Sequence, residues 1–337
     1  MIKTDRITTP VDQNVVGCKI KESKLPSVGK ASIREILALI NSIEKETGVK
    51  YIRMEMGIPG LKACNIGIEA EIAALKTGIA NTYPNIEGVP LFKREISRFI
   101  SLFLDINVPE NCCIPCTGST NGSFISFITI SRIHENKNCT LFLDPGFPVH
   151  KQQLKVLGLP QKSLDVYDYR GDKLKNKLEE ILSEGNVSSL LYSNPNNPAW
   201  ICFTVKELKI IGELCTKYDV IVMEDLAYFN MDFRVDHSKP GEPPFQPTVA
   251  KYTDNYILLI SSSKIFSYAG QRIGSVAVSE KLFKREYPDL LRYYTSSNFG
   301  HSLIYGTAYA VSAGITHSTQ FALAAMLKAA NDGDYNF

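Results

Sequence analysis

Apolar positions along the chain follow two rhythms. In Ser32–Lys45 (SIREILALINSIEK), Ile33, Ile36, Leu37, Ile40 and Ile43 recur three and four residues apart, which predicts an amphipathic helix. From residue 111 onward, short apolar runs of strand length alternate with helical ones. The strand-like runs are 111–116, 140–143, 162–166, 188–192, 220–223, 256–260 and 274–278; helical spacing falls in 124–133, 174–182 and 205–218. Strands that alternate with helices argue a sheet covered on both faces. The pattern predicts an α/β fold of three layers, a mainly parallel sheet between two sets of helices. Residues 1 to about 30, with Pro10, Pro26 and two glycines, read as an extended arm. The segment 236–247 (DHSKPGEPPFQP) reads as a surface loop or flap.

Composition narrows the class without naming a chemistry. The 337 residues are 44% hydrophobic and 21% charged, with a net charge of +2 and no basic block, so no footprint for nucleic acid or a membrane surface is present. No apolar run approaches the ~20 residues of a membrane span. The N-terminal MIKTDRITTPVDQNVVG lacks the apolar core of a signal peptide. The expected location is the cytoplasm, where eight cysteines stay reduced. Cys113-Ile-Pro-Cys116 is a CxxC, but a zinc site needs a second pair and none is suitably spaced. The two thiols read as buried strand residues, and no metal is expected.

Five polar clusters change the picture, because each directly follows a strand-like run: GSTNG, DPGFP, SNPNNP, EDLAY and SSSK. Ligands of open α/β sheets bind outside the carboxyl ends of the strands, so these clusters can converge on one site. Thr117–Gly122 (TGSTNG) leads into a helix whose first N–H groups suit a phosphate. Phe147 offers a ring to a flat ligand or to the core. The Asn-Pro steps of Asn194–Pro198 fix an extended turn that aims amides at one point, or is merely rigid. Asp225 at a strand end needs a cationic partner, unless it caps a turn, and Tyr228 follows three residues later. Lys264 after a buried run costs less as an imine or with a lowered pKa than as an ammonium, unless it snorkels to water. Arg272 presents a planar fork for a phosphate. Together these are the parts pyridoxal phosphate requires: an amine, an acid for the ring nitrogen, donors for the phenolic oxygen, a stacking ring and a phosphate cup.

In order and spacing the chain resembles the class I/II aminotransferases, fold-type I pyridoxal-phosphate enzymes, over roughly residues 50–300. The matching motifs are TGSTNG, DPGFP, NPNNP, the D-x-x-Y of Asp225 and Tyr228, and S-x-S-K with an arginine eight residues after the lysine. Tyr83-Pro-Asn-Ile-Glu-Gly88 and Gly57-Ile-Pro59 look like two upstream family segments. The resemblance implies an amino group moved between an amino acid and a 2-oxo acid through a Lys264 Schiff base. Asp225 would pair with the pyridinium nitrogen, and Asn197 and Tyr228 would donate to the phenolic oxygen. Phe147 would stack on the ring, while Ser119, Thr120, Ser261 and Arg272 would hold the phosphate. Gly57 and Asn197 would lie against the substrate. Tyr83 would reach the phosphate of a neighbouring subunit, which implies a homodimer with shared active sites.

The resemblance also implies a domain plan: 1–50 as the arm and start of a small α/β domain, 51–300 as the cofactor-binding domain, and 301–337 as the start of the C-terminal small domain. Family members usually continue further, and their tail carries an arginine for the substrate α-carboxylate; no equivalent is legible here. Many members read NPTG where this chain reads Asn197-Pro198-Ala199-Trp200, and Trp200 is the single tryptophan. Cofactor motifs do not separate transamination from C–S lysis or decarboxylation on the same scaffold. A non-catalytic cofactor-binding regulator usually carries a DNA-binding domain in front, and the short N-terminal arm has no such pattern.

Overall fold

Of the expected arm, residues 1–9 lie outside the described residues, and residues 13–22 fold into a helix instead. In the computed structural model, which describes residues 10–334, Asp12 caps α1 (Gln13–Glu22) by accepting from Asn14 N at 2.8 Å. Val16, Ile20 and Leu25 pack against Leu39, Ile40 and Ile43 of α2 (Ile33–Thr47). That apolar cluster outweighs the helix-breaking residues that suggested an arm; helices this short draw their stability from packing. A Ser32–Glu35 capping box opens α2, and Gly48 at φ 71° closes it. These elements belong to one compact unit, Met1–Gly60; the other is Leu61–Phe337.

The second unit contains a seven-stranded sheet: β1 (Cys113–Cys116), β2 (Cys139–Asp144), β3 (Gln161–Asp165), β4 (Val187–Ser193), β5 (Ile221–Asp225), β6 (Tyr256–Ser261) and β7 (Gly274–Val278), in the order β1-β7-β6-β5-β4-β2-β3. Each strand coincides with a run expected from the sequence. Its helices include α3 (Asn65–Lys76), α4 (Pro90–Leu104), α5 (Gly118–Ile130), α6 (Pro148–Leu157), α7 (Asp172–Leu182) and α8 (Val205–Lys217). Successive strand residues enter different cores. Leu141, Leu143, Leu190, Tyr192, Val222 and Leu258 join the cluster built with α4, α7, α8 and the helix His317–Asn331. Phe142, Leu191, Ile221, Met223, Ile257 and Leu259 join the cluster built with α5 and α6. The sheet is therefore covered on both faces, and strands such as β6 (YILLIS) and β7 (GSVAV) are buried along their whole length.

Strand direction positions the site. β2, β3, β4, β5 and β6 pair in parallel, whereas β7 is antiparallel to both β6 and β1. The amino end of β7 thus lies where the other strands have their carboxyl ends, with Gly274 paired to Ser261 and to Cys116. Arg272, two residues before β7, reaches the same edge as the residues that follow the other strands. The segment 236–247 is a loop, but it is tied down: Gly241 N donates to Leu102 O at 2.8 Å and Gln246 N to Phe103 O at 3.1 Å. Among the described residues, no helix is long and apolar enough to cross a membrane.

Candidate active site

Ser261 ends β6 and caps the next turn, its Oγ accepting from Ser263 N at 3.2 Å, and this starts the short helix α9 (Ser262–Ile265) that carries Lys264. Lys264 is half-buried, and desolvation lowers its pKa from the ordinary lysine value. Its Nζ lies 5.8 Å from the centroid of the Tyr228 ring. Burial, then the charge of Asp225, raises the Tyr228 pKa, so this phenol keeps its proton at neutral pH and can donate it.

Asp225 is the last residue of β5 and is 4% exposed. Its Oδ2 lies 3.1 Å from His150 Nε2, and its Oδ1 accepts from Ala227 N at 3.1 Å. His150 is buried on α6, three residues after Phe147, the N-cap, and the two rings meet edge to face at 5.5 Å. Among the described residues, His150 Nδ1 is buried without a hydrogen-bond partner. Sequence reasoning singled out Phe147 and missed His150. The signal was there: a residue three positions on, in a helix opened by the DPGFP turn, lies on the same helical face.

The expected phosphate-binding residues are assembled by close approach. The TGSTNG segment is itself the start of α5, because Gly118 is its first residue, at φ 72°. A Cβ on Gly118 would stand 2.6 Å from Arg272 Nη2, and one on Gly274 would stand 2.5 Å from Ile260 O. Glycine at 118 lets the guanidinium rest on the first turn of α5, and glycine at 274 lets β7 approach β6 and that same turn. Arg272 Nη1 donates to Ala269 O at 2.9 Å and to Ser263 Oγ at 3.3 Å, which fixes the fork there. Ser119 is buried and Thr120 half-buried in that turn, which carries no acidic residue. A helix N-terminus joined by a guanidinium is an anion site. Arg272 itself adopts φ 52°, a conformation costly for a non-glycine residue and typical of functional sites.

In the Asn194–Pro198 turn two asparagines are structural. Asn194 Oδ1 accepts from Phe203 N at 3.1 Å, and Asn196 Nδ2 donates to Pro145 O at 2.7 Å. The Asn197 side chain makes no hydrogen bond among the described residues, while its backbone N donates to Ser193 Oγ at 3.2 Å. It is the asparagine left for a ligand. Trp200 takes φ 56°, a conformation that suits glycine. Its ring meets the Tyr228 ring at 5.5 Å and stacks on Phe233 at 6.1 Å.

The structure thus brings Lys264, Asp225, Tyr228, Asn197, Phe147, Ser119, Thr120, Ser261 and Arg272 to one edge of the sheet. Of the remaining expected residues, Tyr83 is 93% exposed, and Gly57 belongs to the first unit. The CxxC is structural: Cys113 and Cys116 are buried in different cores, and desolvation pushes both thiols up, Cys116 to about 12. Among the described residues, no group of His, Cys, Asp and Glu is arranged to hold a metal.

The family model for aminotransferase class I and II matches residues 51–332. The chain belongs to the class I and II aminotransferase family. Within this family it is similar to a probable aspartate aminotransferase of Methanocaldococcus jannaschii, at 25% identity over 78% of this chain and 64% of that protein. It is also similar to the glutamate-pyruvate aminotransferase AlaC of Escherichia coli, at 24% identity over 73% of this chain and 58% of that protein. The chain therefore spans less than two thirds of the length of these curated relatives. Solved structures share the fold: the alanine aminotransferase of Pyrococcus furiosus has a TM-score of 0.70 at 20% identity, covering 88% of this chain and 70% of that one. A double mutant of Thermus thermophilus aspartate aminotransferase has a TM-score of 0.69 at 16% identity, covering 94% and 73%.

Proposed function

We propose that this chain is a pyridoxal-phosphate-dependent aminotransferase that moves an amino group between an amino acid and a 2-oxo acid. One observation carries the reading: a half-buried amine, a buried carboxylate and a guanidinium seated on a helix N-terminus converge on one sheet edge.

The donor set fits the cofactor. Among the described residues the Asp225 carboxylate meets His150 Nε2 and Ala227 N, which leaves acceptor capacity for a protonated ring nitrogen. Arg272, Ser119, Thr120 and Ser261 would hold the phosphate, Asn197 and Tyr228 the phenolic oxygen, and Phe147 the ring face. Bound there, pyridoxal phosphate supplies an electron sink for negative charge at the donor's Cα. Lys264 Nζ, its pKa lowered by burial, anchors the cofactor and moves the proton at Cα. Asp225, oriented by His150, holds a proton on the ring nitrogen. Arg272 would hold the phosphate end, limiting the orientations the cofactor could take beside Lys264.

The proposal extends to a cytoplasmic homodimer. The described cysteines are all free thiols, in keeping with a reducing compartment. Tyr83, Ile52, Met54 and Leu61 are all highly exposed, which suits burial against a second copy, with Tyr83 reaching its phosphate and Gly57 lying by the substrate. The test is a product assay with single amino acids and a 2-oxo acid acceptor. A new amino acid formed in step with donor loss supports transfer; ammonia with pyruvate, or carbon dioxide, without an aminated acceptor contradicts it.

A further inference from the structure

Behind the Asn194–Trp200 turn lies a cavity of about 390 Å3 whose walls include none of Lys264, Asp225, Tyr228 or Arg272. Its charged wall carries Arg170, Arg234 and Asp232, and its apolar wall carries Trp200 and Phe203. Both guanidiniums are held in place by a carboxylate. Arg170 Nε and Nη2 donate to Glu207 at 2.6 and 2.7 Å, and Arg234 Nε and Nη2 donate to Asp232, both at 2.7 Å. In each pair Nη1 lies outside the fork. Arg170 is fixed further by the Phe203 ring, 5.4 Å from its guanidinium carbon, and by Cys202 O at 3.1 Å. Glu207, its own partner, is not in the cavity wall. Each guanidinium thus keeps its own carboxylate, and what the wall offers an anion is the outer N–H edge of each fork.

We propose that this cavity is a second binding site, for a small carboxylate with an apolar body. The anionic end meets the outer edges of Arg170 and Arg234, and the body lies against Trp200 and Phe203. Guanidiniums already oriented by carboxylates lose little freedom on binding, which favours this mode. The volume lies within the range of about 300–1,000 Å3 usual for small-molecule sites. Trp200 forms part of the wall and also touches Tyr228, so the site abuts the cofactor edge through one side chain. Two ligands can then be held at once, since the two sets of wall residues are separate.

Trp200 is the single tryptophan, so its fluorescence reads this cavity directly. The protein, loaded with pyridoxal phosphate and also without it, is titrated with cyclohexanecarboxylate and with uncharged cyclohexylmethanol. A saturable change with the carboxylate is expected, at least about tenfold weaker with the alcohol. Arg234→Gln weakens it about tenfold, the weight of one charge-assisted hydrogen bond. The Arg234 side chain is 74% exposed, so this variant keeps the fold, which thermal melting checks. Arg272→Gln leaves the response intact. Absence of a saturable response, equal responses to acid and alcohol, or insensitivity to Arg234→Gln would overturn the proposal. So would loss with Arg272→Gln, which places the anion in the phosphate cup. Because the titration needs no turnover, it stands even if the aminotransferase assay fails.

Discussion

Glu207 and Asp225 are both buried carboxylates, and their surroundings differ in a way that separates structure from chemistry. Glu207 is saturated. Both its oxygens take Arg170, and Gly171 N, Thr204 N and Thr204 Oγ1 complete the set. Burial pushes its pKa up, but these bonds outweigh burial and hold the carboxyl at about 2. Asp225 has one bond to each oxygen, from His150 and Ala227. A saturated buried carboxylate has nothing left to offer a ligand; an unsaturated one at a sheet edge does. Glu224, the neighbour of Asp225, shows a third outcome. It takes Thr248 Oγ1 at 2.5 Å and Val249 N at 3.2 Å but, among the described residues, no cation, and burial raises its pKa to about 7. Without a cation beside it, burial decides the outcome for Glu224, whereas the Arg170 fork decides it for Glu207.

The largest effects belong to the open edge. Lys264→Ala should abolish transamination, measured as turnover with any accepted donor, while leaving the melting temperature near that of the parent. Asp225→Ala should lower kcat by about 10²-fold or more and weaken cofactor binding, again with a small change in melting. Unchanged kinetics in that variant would remove Asp225 from the chemistry. The saturated carboxylate should show the reverse. Arg170→Ala strands Glu207 and should cost about 2–3 kcal/mol in denaturant unfolding, less than a fully buried pair because Arg170 is 37% exposed. An Arg170→Ala protein as stable as the parent would break the contrast.

The smallest effect is in pH, and its signs oppose. The fold lowers the Glu207 pKa from 4.5 to about 2, so the stability it contributes is present above 4.5 and is lost as pH falls towards 2. The fold raises the Glu224 pKa from 4.5 to about 7, so stability declines as pH rises through that window. Glu224→Gln should therefore flatten the neutral-pH decline and raise stability above pH 7 by about 1–2 kcal/mol. A variant less stable than the parent at pH 8 would contradict the assignment.

Most of the candidate site's edge was legible in the sequence because strand ends are marked twice, by the close of an apolar run and by a polar cluster. Ser261, Lys264, Asp225 and Asn197 follow from that coincidence. His150 was not legible, since a lone histidine inside a helix carries no mark until the helix is placed beside β5. The direction of β7 was not legible either, because an apolar run reads alike both ways; Arg272 reached the site through that reversal. The α1 helix was masked by Gly17 and the flanking prolines, whose local preference lost to packing against α2. Trp200 was noted for its bulk, whereas its left-handed backbone and its contact with Tyr228 needed coordinates.

The central claim is that Lys264 is the amine that takes the cofactor. Protein incubated with pyridoxal phosphate, reduced with borohydride, digested and mapped by mass spectrometry tests it without any substrate. A cofactor label on the peptide containing Lys264, absent from Lys264→Ala, is the expected result. A label on other lysines alone, or none at all, would contradict the account.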